Sequence, residues 1–246
     1  MNEVTDDLLL GGRIRLAQPK TGHRAGTDAV LLAASAPVRP GDVVADVGAA
    51  TGAVGLMVAV RERSARFVFV ERDSHLAALC RENCRNNGIE GAIAVADVLD
   101  KASRQAAGLI PESADLVLTN PPFLEEGQAR ISPDQGRAAA HVLPAGGLEA
   151  WLKACAGLLK PKGRLMMIHR ADRMAECLHA LEKWFGGLEI RLVHPSADRP
   201  AIRFLVSGIK GSRSPLSILP PVILNGPDGR FTPQAEALHR GEATLL

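Results

Sequence analysis

Aromatic side chains make up only 3% of the chain, and tyrosine is absent. That scarcity argues against a base-stacking platform of the RRM or OB kind, which sets several exposed rings against successive bases. The four cysteines, Cys80, Cys84, Cys155 and Cys177, show no C-x-x-C spacing. The first seven residues, Met1 to Asp7, are acidic and lack the basic region of a secretory signal. The thiols therefore read as reduced core or helix groups. Cys80 and Cys84 share a helix face near His75, but this is thin support for a metal and none is assigned. No apolar run is long enough to span a bilayer, so the expectation is a cytoplasmic protein. A large charge of either sign is also lacking: 29 basic residues face 27 acidic ones, for a net charge of +2. That balance neither demands nor excludes nucleic acid, and a local patch can still bind phosphates.

What is present suits one large α/β domain: 246 residues, 46% of them hydrophobic, with 24 glycines and no internal repeat. Short apolar runs alternate with helical patterns. Strands are expected over residues 43–47, 66–71, 92–96, 115–119 and 164–169. Helices are expected over 27–35, with Thr27 as cap, and over 53–62, 74–87, 148–159 and 172–185. Residues 188–193 and 201–207 read as a closing antiparallel pair, because Pro195 to Pro200 joins them without a helix. The pattern implies a mostly parallel sheet of seven strands with helices on both faces and an antiparallel closing strand. Beyond Lys210 the chain turns Gly-, Pro- and Ser-rich. It offers an apolar stretch at 222–224, a turn at 225–229, and a helix start at Thr232-Pro233.

Asn120-Pro121-Pro122-Phe123 directly follows the apolar run ending at Thr119. Two consecutive prolines end a strand, since neither supplies a backbone N–H to a ladder. The first also pushes Asn120 into an extended conformation. A stiff loop at the carboxyl end of a buried strand lies where ligands sit in open α/β sheets. It can aim the Asn120 carboxamide oxygen and the Pro121 carbonyl at one point, with Phe123 as a flat surface beside them. Two acceptors and a ring suit a planar exocyclic amine. The competing reading is a plain Pro-rich turn between a strand and a helix.

A second constellation precedes it. Asp46-Val-Gly48-Ala-Ala-Thr51-Gly52 joins a strand to a helix, and its glycines let backbone pass close to a ligand. It is neither G-x-G-x-x-G, because position 50 is Ala, nor a P-loop, because no Gly-Lys-Ser/Thr follows. Asp46 at the strand end can hold a cationic amino group. Glu71, ending the next strand, is placed to accept from two ribose hydroxyls, and Asp97, after the third, from the amino group of an adenine. Singly, each carboxylate is more often a solvated loop group. Three at successive strand ends make that reading weaker.

In this order the D-x-G-x-x-T-G turn, Glu71, Asp97 and Asn120 to Phe123 resemble the Rossmann-like (class I) S-adenosylmethionine-dependent methyltransferases. The Asn-Pro-Pro-aromatic motif is that of amino methyltransferases acting on adenine N6, guanine N2 of ribosomal RNA, or glutamine of release factors. Thr21-Gly-His-Arg-Ala-Gly-Thr-Asp28 and the tail from Pro215 to Leu238, with Gly229-Arg-Phe-Thr232, narrow it further. They resemble the bacterial tRNA(Val) adenine-N6 methyltransferase group. The resemblance implies S-adenosylmethionine held by Asp46, Gly48, Thr51, Gly52, Glu71 and Asp97. It implies an acceptor amine held by Asn120, Pro121, Pro122 and Phe123, with tRNA as partner.

It also implies residues 1–26 as an extension toward a cofactor lid, with His23 and Arg24 closing over it, 27–210 as the catalytic domain, and 211–246 as a tail packed on it. Where this chain has Ala50 the family usually has Gly, often with Gly or Cys at position 49; Phe123 replaces a usual Tyr and loses its hydroxyl. Guanine N2, protein glutamine, or a silent module that holds cofactor or RNA without turnover are the alternatives. A hydroxyl acceptor has little use for two amine-hydrogen acceptors. Lys160, Lys162, Arg164, Arg170, Arg173, Arg199, Arg203, Lys210 and Arg213 give the C-terminal half basic density. Most read as solvated charges among acidic neighbours, with a minority touching RNA. Trp151, Trp184 and Phe185 read as core.

Overall fold

Alternate residues of the apolar runs face opposite ways, as the period of two in a β-strand requires. Val44, Phe67, Phe69, Leu116, Leu118, Met166 and Ile168 join one buried cluster, while Ala45, Val47, Val70, Val117, Leu165 and Met167 join another. A sheet buried on both faces follows, which is why its strands read as continuous apolar runs. The computed structural model describes residues 3–21, 24–122 and 147–246, together with the short strands Leu124–Glu125 and Val142–Leu143.

In chain order, a hairpin of β1 (Val4–Leu9) and β2 (Ile14–Pro19) precedes α1 (Thr27–Ala34). Then come β3 (Val43–Val47), α2 (Ala53–Arg61), β4 (Arg66–Glu71), α3 (Ser74–Asn86) and β5 (Gly91–Val95). The chain continues with α4 (Lys101–Ala106) and β6 (Ala114–Thr119), the two-residue strands β7 (Leu124–Glu125) and β8 (Val142–Leu143), and α5 (Gly147–Leu158). It closes with β9 (Leu159–Arg170), α6 (Met174–Leu181), β10 (Phe185–His194), β11 (Arg203–Lys210), β12 (Ser217–Ile223) and α7 (Pro233–Arg240).

The main sheet runs β12-β10-β11-β9-β6-β3-β4-β5. Only β11 runs against its neighbours, β9 and β10, and the other pairings are parallel. The expected seven strands and their antiparallel member are present, with β11 lying between β9 and β10. An eighth strand, β12, extends the sheet beyond β10. Its Pro220-Pro221 pair disguises it in the sequence, and prolines are tolerated there because β12 is an edge strand.

Strand order reverses at β3: the chain first builds outward through β4 and β5, then returns to β6 on the other side of β3. In open α/β sheets this reversal opens the crevice in which ligands bind.

Several expectations need correction. Gly26, not Thr27, is the N-cap of α1; Thr27 is its first helical residue and its Oγ1 meets His239 Nε2 at 3.2 Å. The helix expected over 172–185 is a 3₁₀ turn at Ala171–Arg173 followed by α6, and Phe185 already starts β10. The hairpin β1–β2 and the short α4 were not anticipated. Asp73 caps α3 by accepting from His75 and Leu76 N–H, and Thr232 caps α7 ahead of Pro233 as the sequence indicates. Val222, Leu224, Ala235 and Leu238 of the tail sit in the first cluster beside α1 and α2.

The Phe69 ring, fully buried, fills space that three glycines leave open. A Cβ at Gly55 would lie 2.3 Å from its Cε1, one at Gly91 2.6 Å from its Cε2, and one at Gly52 3.5 Å from its Cε1. Gly55→Ala should therefore destabilise the fold by about 1–3 kcal/mol through overpacking, outweighing its gain in helix propensity. Gly157→Ala, on an exposed helical position with nothing within 4 Å, should cost nothing. Urea unfolding of the two variants measures the difference; equal stabilities would mean the ring has slack.

Candidate active site

β3 ends at Val47, and the next two N–H groups, of Gly48 and Ala49, both donate to Val70 O at 2.9 and 3.0 Å. The chain thereby swings over the end of β4. Gly48, Ala50 and Gly52 take φ of 76°, 48° and 86°, so the turn winds through left-handed backbone at alternate residues. Ala50 does so at a cost of about 1 kcal/mol, since its Cβ crowds the following carbonyl. Its N–H donates to Glu71 Oε2 at 2.8 Å, which holds the strained residue in place.

Gly52 is the N-cap of α2 and supplies no side chain. The cap comes from Asp46 instead, whose Oδ2 accepts from Gly55 N–H at 2.8 Å. Asp46 is only 3% exposed. Burial pushes its carboxyl up to about 7, against the Gly55 hydrogen bond and helped by the nearby Glu71 charge.

Glu71 is itself buried and spans the turn. Its Oε1 accepts from Asp73 N–H at 2.8 Å while Oε2 holds Ala50. Each carboxylate oxygen keeps a second lone-pair direction for a hydroxyl donor. Thr51, also buried, offers its carbonyl to Asn83 Nδ2 at 2.9 Å. Ala96 N–H donates to Glu71 O at 3.0 Å, so the chain leaving β5 passes Glu71 on its way to Asp97. Asp97 is half-buried; its Oδ1 accepts from Leu99 N–H at 2.9 Å and its N–H donates to Ser103 Oγ at 3.0 Å.

On the other side of β3, Thr119 pairs in register with Val47. Asn120 and Gly48 are the next residues along these adjacent strand ends. Thr119 Oγ1 donates to Val47 O at 2.9 Å and accepts from Trp151 Nε1 at 2.9 Å. A Cβ at Gly48 would come within 3.1 Å of the Trp151 ring. Trp151 is thus a core residue, as its spacing suggested, and also the wall shared by the glycine turn and the Asn-Pro-Pro strand end. Asn120 Oδ1 is buried and has no hydrogen-bond partner among the described residues. Pro121 is buried and Pro122 half-buried. Phe123 and His23 lie outside the described residues. Arg24 is bound to the hairpin, donating to Thr5 Oγ1, Pro19 O and Asp7 Oδ2.

Register sorts the basic residues. Arg170 and Arg203 are partners at the carboxyl rim of the sheet, with Arg173 and Arg199 in the adjoining segments. Lys160, Lys162, Arg164, Lys210 and Arg213 belong to the opposite end. There Lys160 pairs with Asp115, Lys210 with Glu112 and Arg164 with Glu189. Among the described residues no group of three or more His, Cys, Asp or Glu could hold a metal ion, and no helix is long and apolar enough to cross a membrane. All four cysteines are free and buried.

The strand order, the glycine turn and the carboxylates at successive strand ends define a Rossmann-like class I methyltransferase. The chain belongs to the methyltransferase small domain family, whose profile matches residues 24–193. Its cofactor is S-adenosylmethionine.

It is 31% identical over 176 residues to a tRNA1(Val) (adenine(37)-N6)-methyltransferase of Porphyromonas gingivalis, covering 69% of this chain and 68% of the relative. It is 27% identical to the enzyme of that name from Dickeya chrysanthemi, over 92% and 89% of the two chains. Among solved structures, a predicted O-methyltransferase from Agrobacterium tumefaciens superposes with a TM-score of 0.71 at 31% identity, over 88% of this chain and 97% of that one. TYW2 of M. jannaschii in complex with AdoMet shares the fold, with a TM-score of 0.55 at 15% identity over 85% and 86% of the chains.

Thr119 and Asn83 were not singled out from the sequence. The signal for Asn83 is a polar residue on the apolar face of α3, three positions after Cys80 and four before Asn87. A pH effect follows from Asp46. Its folded carboxyl titrates near 7 and the unfolded one near 3.8, so the folded state holds the proton more tightly. Stability of the cofactor-free protein should fall as pH rises from about 4 to 7. Asp46→Asn should remove that part of the slope. Thermal or urea unfolding at pH 5 and pH 8 compares them, and parallel pH curves would contradict the assigned titration.

Proposed function

We propose that this chain transfers the methyl group of S-adenosylmethionine to the exocyclic N6 amine of an adenine in tRNA. The observation that carries this is the buried Asn120 Oδ1 without a partner, one strand away from the glycine turn. A buried acceptor left unpaired costs free energy, about 1–3 kcal/mol. A ligand N–H would recover it. The relatives from P. gingivalis and D. chrysanthemi, named for adenine N6 of tRNA, support the same acceptor.

The residues present fit the cofactor. Glu71 has lone pairs free for two ribose hydroxyls, Asp97 stands where an adenine amino group can donate, and buried Asp46 gains from a cationic ammonium that would draw its titration back down. When bound, S-adenosylmethionine supplies an electrophilic methyl on a sulfonium. The chain does the rest by position. An aromatic amine is a poor nucleophile because its lone pair is delocalised into the ring. If Asn120 Oδ1 and the Pro121 carbonyl each accept one of its hydrogens, the nitrogen moves toward tetrahedral geometry and its lone pair turns out of the ring plane. Nitrogen acidity rises once the methyl arrives, so the surplus proton leaves to solvent without a strong base. Catalysis then rests on orientation and fixed dipoles.

A tRNA loop base would reach this point splayed from its stack, with Phe123 as its proposed stacking ring. Arg170, Arg173, Arg199 and Arg203 share the carboxyl rim with Asn120; Arg170, Arg173 and Arg203 pair there with Asp172, Glu176 and Asp28, so a phosphate would have to share these arginines with carboxylates. Guanine N2 or a glutamine amide would use the same two acceptors. A hydroxyl, with one hydrogen, would leave one of them idle.

Incubation with labelled cofactor and unmodified total RNA, followed by nucleoside mass analysis, should yield N6-methyladenosine in the tRNA fraction. N2-methylguanosine alone, or no methylated nucleoside, would falsify the proposal. Asn120→Ala should cut turnover by about 10²-fold or more with cofactor affinity nearly unchanged. Loss of cofactor binding in that variant contradicts the role. Glu71→Ala should weaken cofactor binding about tenfold or more, as removal of hydrogen bonds to a charged group does. Calorimetric titration reads this directly, and an unaltered affinity sinks the ribose assignment.

A further inference from the structure

Asn83, on α3, has no exposed surface, yet it carries a fully polar side chain. Its Oδ1 accepts from Ala17 N–H at 2.7 Å, and its Nδ2 donates to Ala17 O and to Thr51 O, both at 2.9 Å. The carboxamide thus pairs with Ala17 as a neighbouring strand would, and spends its second N–H on the glycine turn.

One helical turn later Asn87 repeats the first half of the arrangement. Its Oδ1 accepts from Arg15 N–H at 2.9 Å and its Nδ2 donates to Arg15 O at 2.7 Å. Asn87 does not reach the turn; its remaining N–H goes to Asn83 O. The spacing works because four helical residues rise about 6 Å and two strand residues about 6.7 Å. Side chains at i and i+4 along α3 therefore match backbone at j and j−2 of β2, which runs the opposite way. Cys80, three residues before Asn83, presses on the same turn: a Cβ at Gly52 would lie 2.6 Å from its Sγ.

We infer that Asn83 is a positioning residue for the cofactor, coupling the N-terminal hairpin to the Thr51-Gly52 turn through its buried carboxamide. The hairpin is a brace beneath the cofactor turn. Thr51 O is held from below by a group that is itself fixed by Ala17, so the direction of the turn's peptides depends on β2 being docked. Ile14 and Leu16, both fully buried in the same cluster as α2 and Phe69, keep β2 there. Coupling of this kind is reciprocal: if the docked hairpin favours cofactor binding, cofactor binding must favour the docked hairpin. A merely structural role for the two asparagines would attach the hairpin and leave the cofactor's affinity alone. The inference rests on the cofactor lying at the glycine turn and is independent of which acceptor is methylated.

Asn83→Ala and Asn87→Ala each remove one side-chain pairing with β2, but only the first releases Thr51. Calorimetric titration of the full chain with S-adenosylmethionine should show Asn83→Ala binding about tenfold or more weaker, and Asn87→Ala within about twofold of wild type. In turnover with total tRNA, Asn83→Ala should raise KM for the cofactor with kcat largely kept. A separate measurement needs no variant: in the wild type, saturating S-adenosylmethionine should slow hydrogen exchange at the Ala17 amide. If Asn83→Ala does not fold, the exchange measurement decides alone. Equal affinities of the two asparagine variants, or an Ala17 amide indifferent to cofactor, overturn the inference. Glu71→Ala serves as reference. If it weakens binding while Asn83→Ala does not, the brace fails and the site stands; if neither does, the location of the cofactor fails and the brace with it.

Discussion

The hydrogen bond from Gly55 N–H to Asp46 Oδ2 draws the first turn of α2 down onto the ends of β3 and β4. Such an approach is possible only where residues 52 and 55 lack side chains, and the Phe69 ring occupies the volume that a Cβ would need. The strand-end carboxylate takes over the capping that Gly52 cannot provide. The consequences run outward from there. With Asp46 sealed under the helix, the turn between them has to pass over β4, where Val70 O receives two of its N–H groups and Glu71 a third. A buried carboxylate whose titration is pushed near 7 is a standing cost. It is a cost that a cation at this turn would offset, and strained backbone beside a perturbed carboxyl is a pattern that clusters at binding sites.

The second half of the site depends on the first through Trp151. Its indole N–H holds Thr119 Oγ1, Thr119 Oγ1 in turn holds Val47 O, and the indole ring lies against Gly48. Strand β6 is thereby fixed against β3 at the residue before Asn120. The relative placement of the glycine turn and the Asn120 strand end, on which transfer of a small group between them would depend, is set by two side-chain hydrogen bonds and one ring contact rather than by the loop alone. The reversal of strand order at β3 makes this economical: the glycine turn and the Asn-Pro-Pro loop leave neighbouring strands in the same direction.

Much of this was legible because it is local. The strands announce themselves as apolar runs, α3 ends at Asn87-Gly88, α7 starts at Thr232-Pro233, and the acidic residues at the ends of β3 and β4 and just after β5 stand out one by one. The Asn-Pro-Pro loop could be read from the conformational restriction of proline alone. What escaped is what depends on partners distant in sequence. β2 is a short strand paired on one side with β1 and on the other with two asparagine side chains of a helix 66 to 72 residues away. No periodicity encodes that arrangement. β12 carries two prolines, which argue against a strand until its position at the sheet edge is known. Thr119 reads as one more β-branched strand residue until the indole that meets it is located.

The alanines at 49 and 50, where the resembled family usually carries Gly at 50 and often Gly or Cys at 49, can be weighed on the same terms. Ala49 is buried among the apolar residues of the first cluster, so its methyl adds to the core. Ala50 bears the strain of left-handed backbone, about 1 kcal/mol, and its N–H bond to Glu71 Oε2 returns a comparable amount. The turn keeps the winding that glycine would give it, and Glu71 acquires a second duty, holding the turn while keeping lone pairs for a ligand. The two substitutions therefore do not favour a silent module. They shift part of the turn's stability from backbone freedom onto one carboxylate, so that the residue proposed to bind the ribose also keeps its own site in shape.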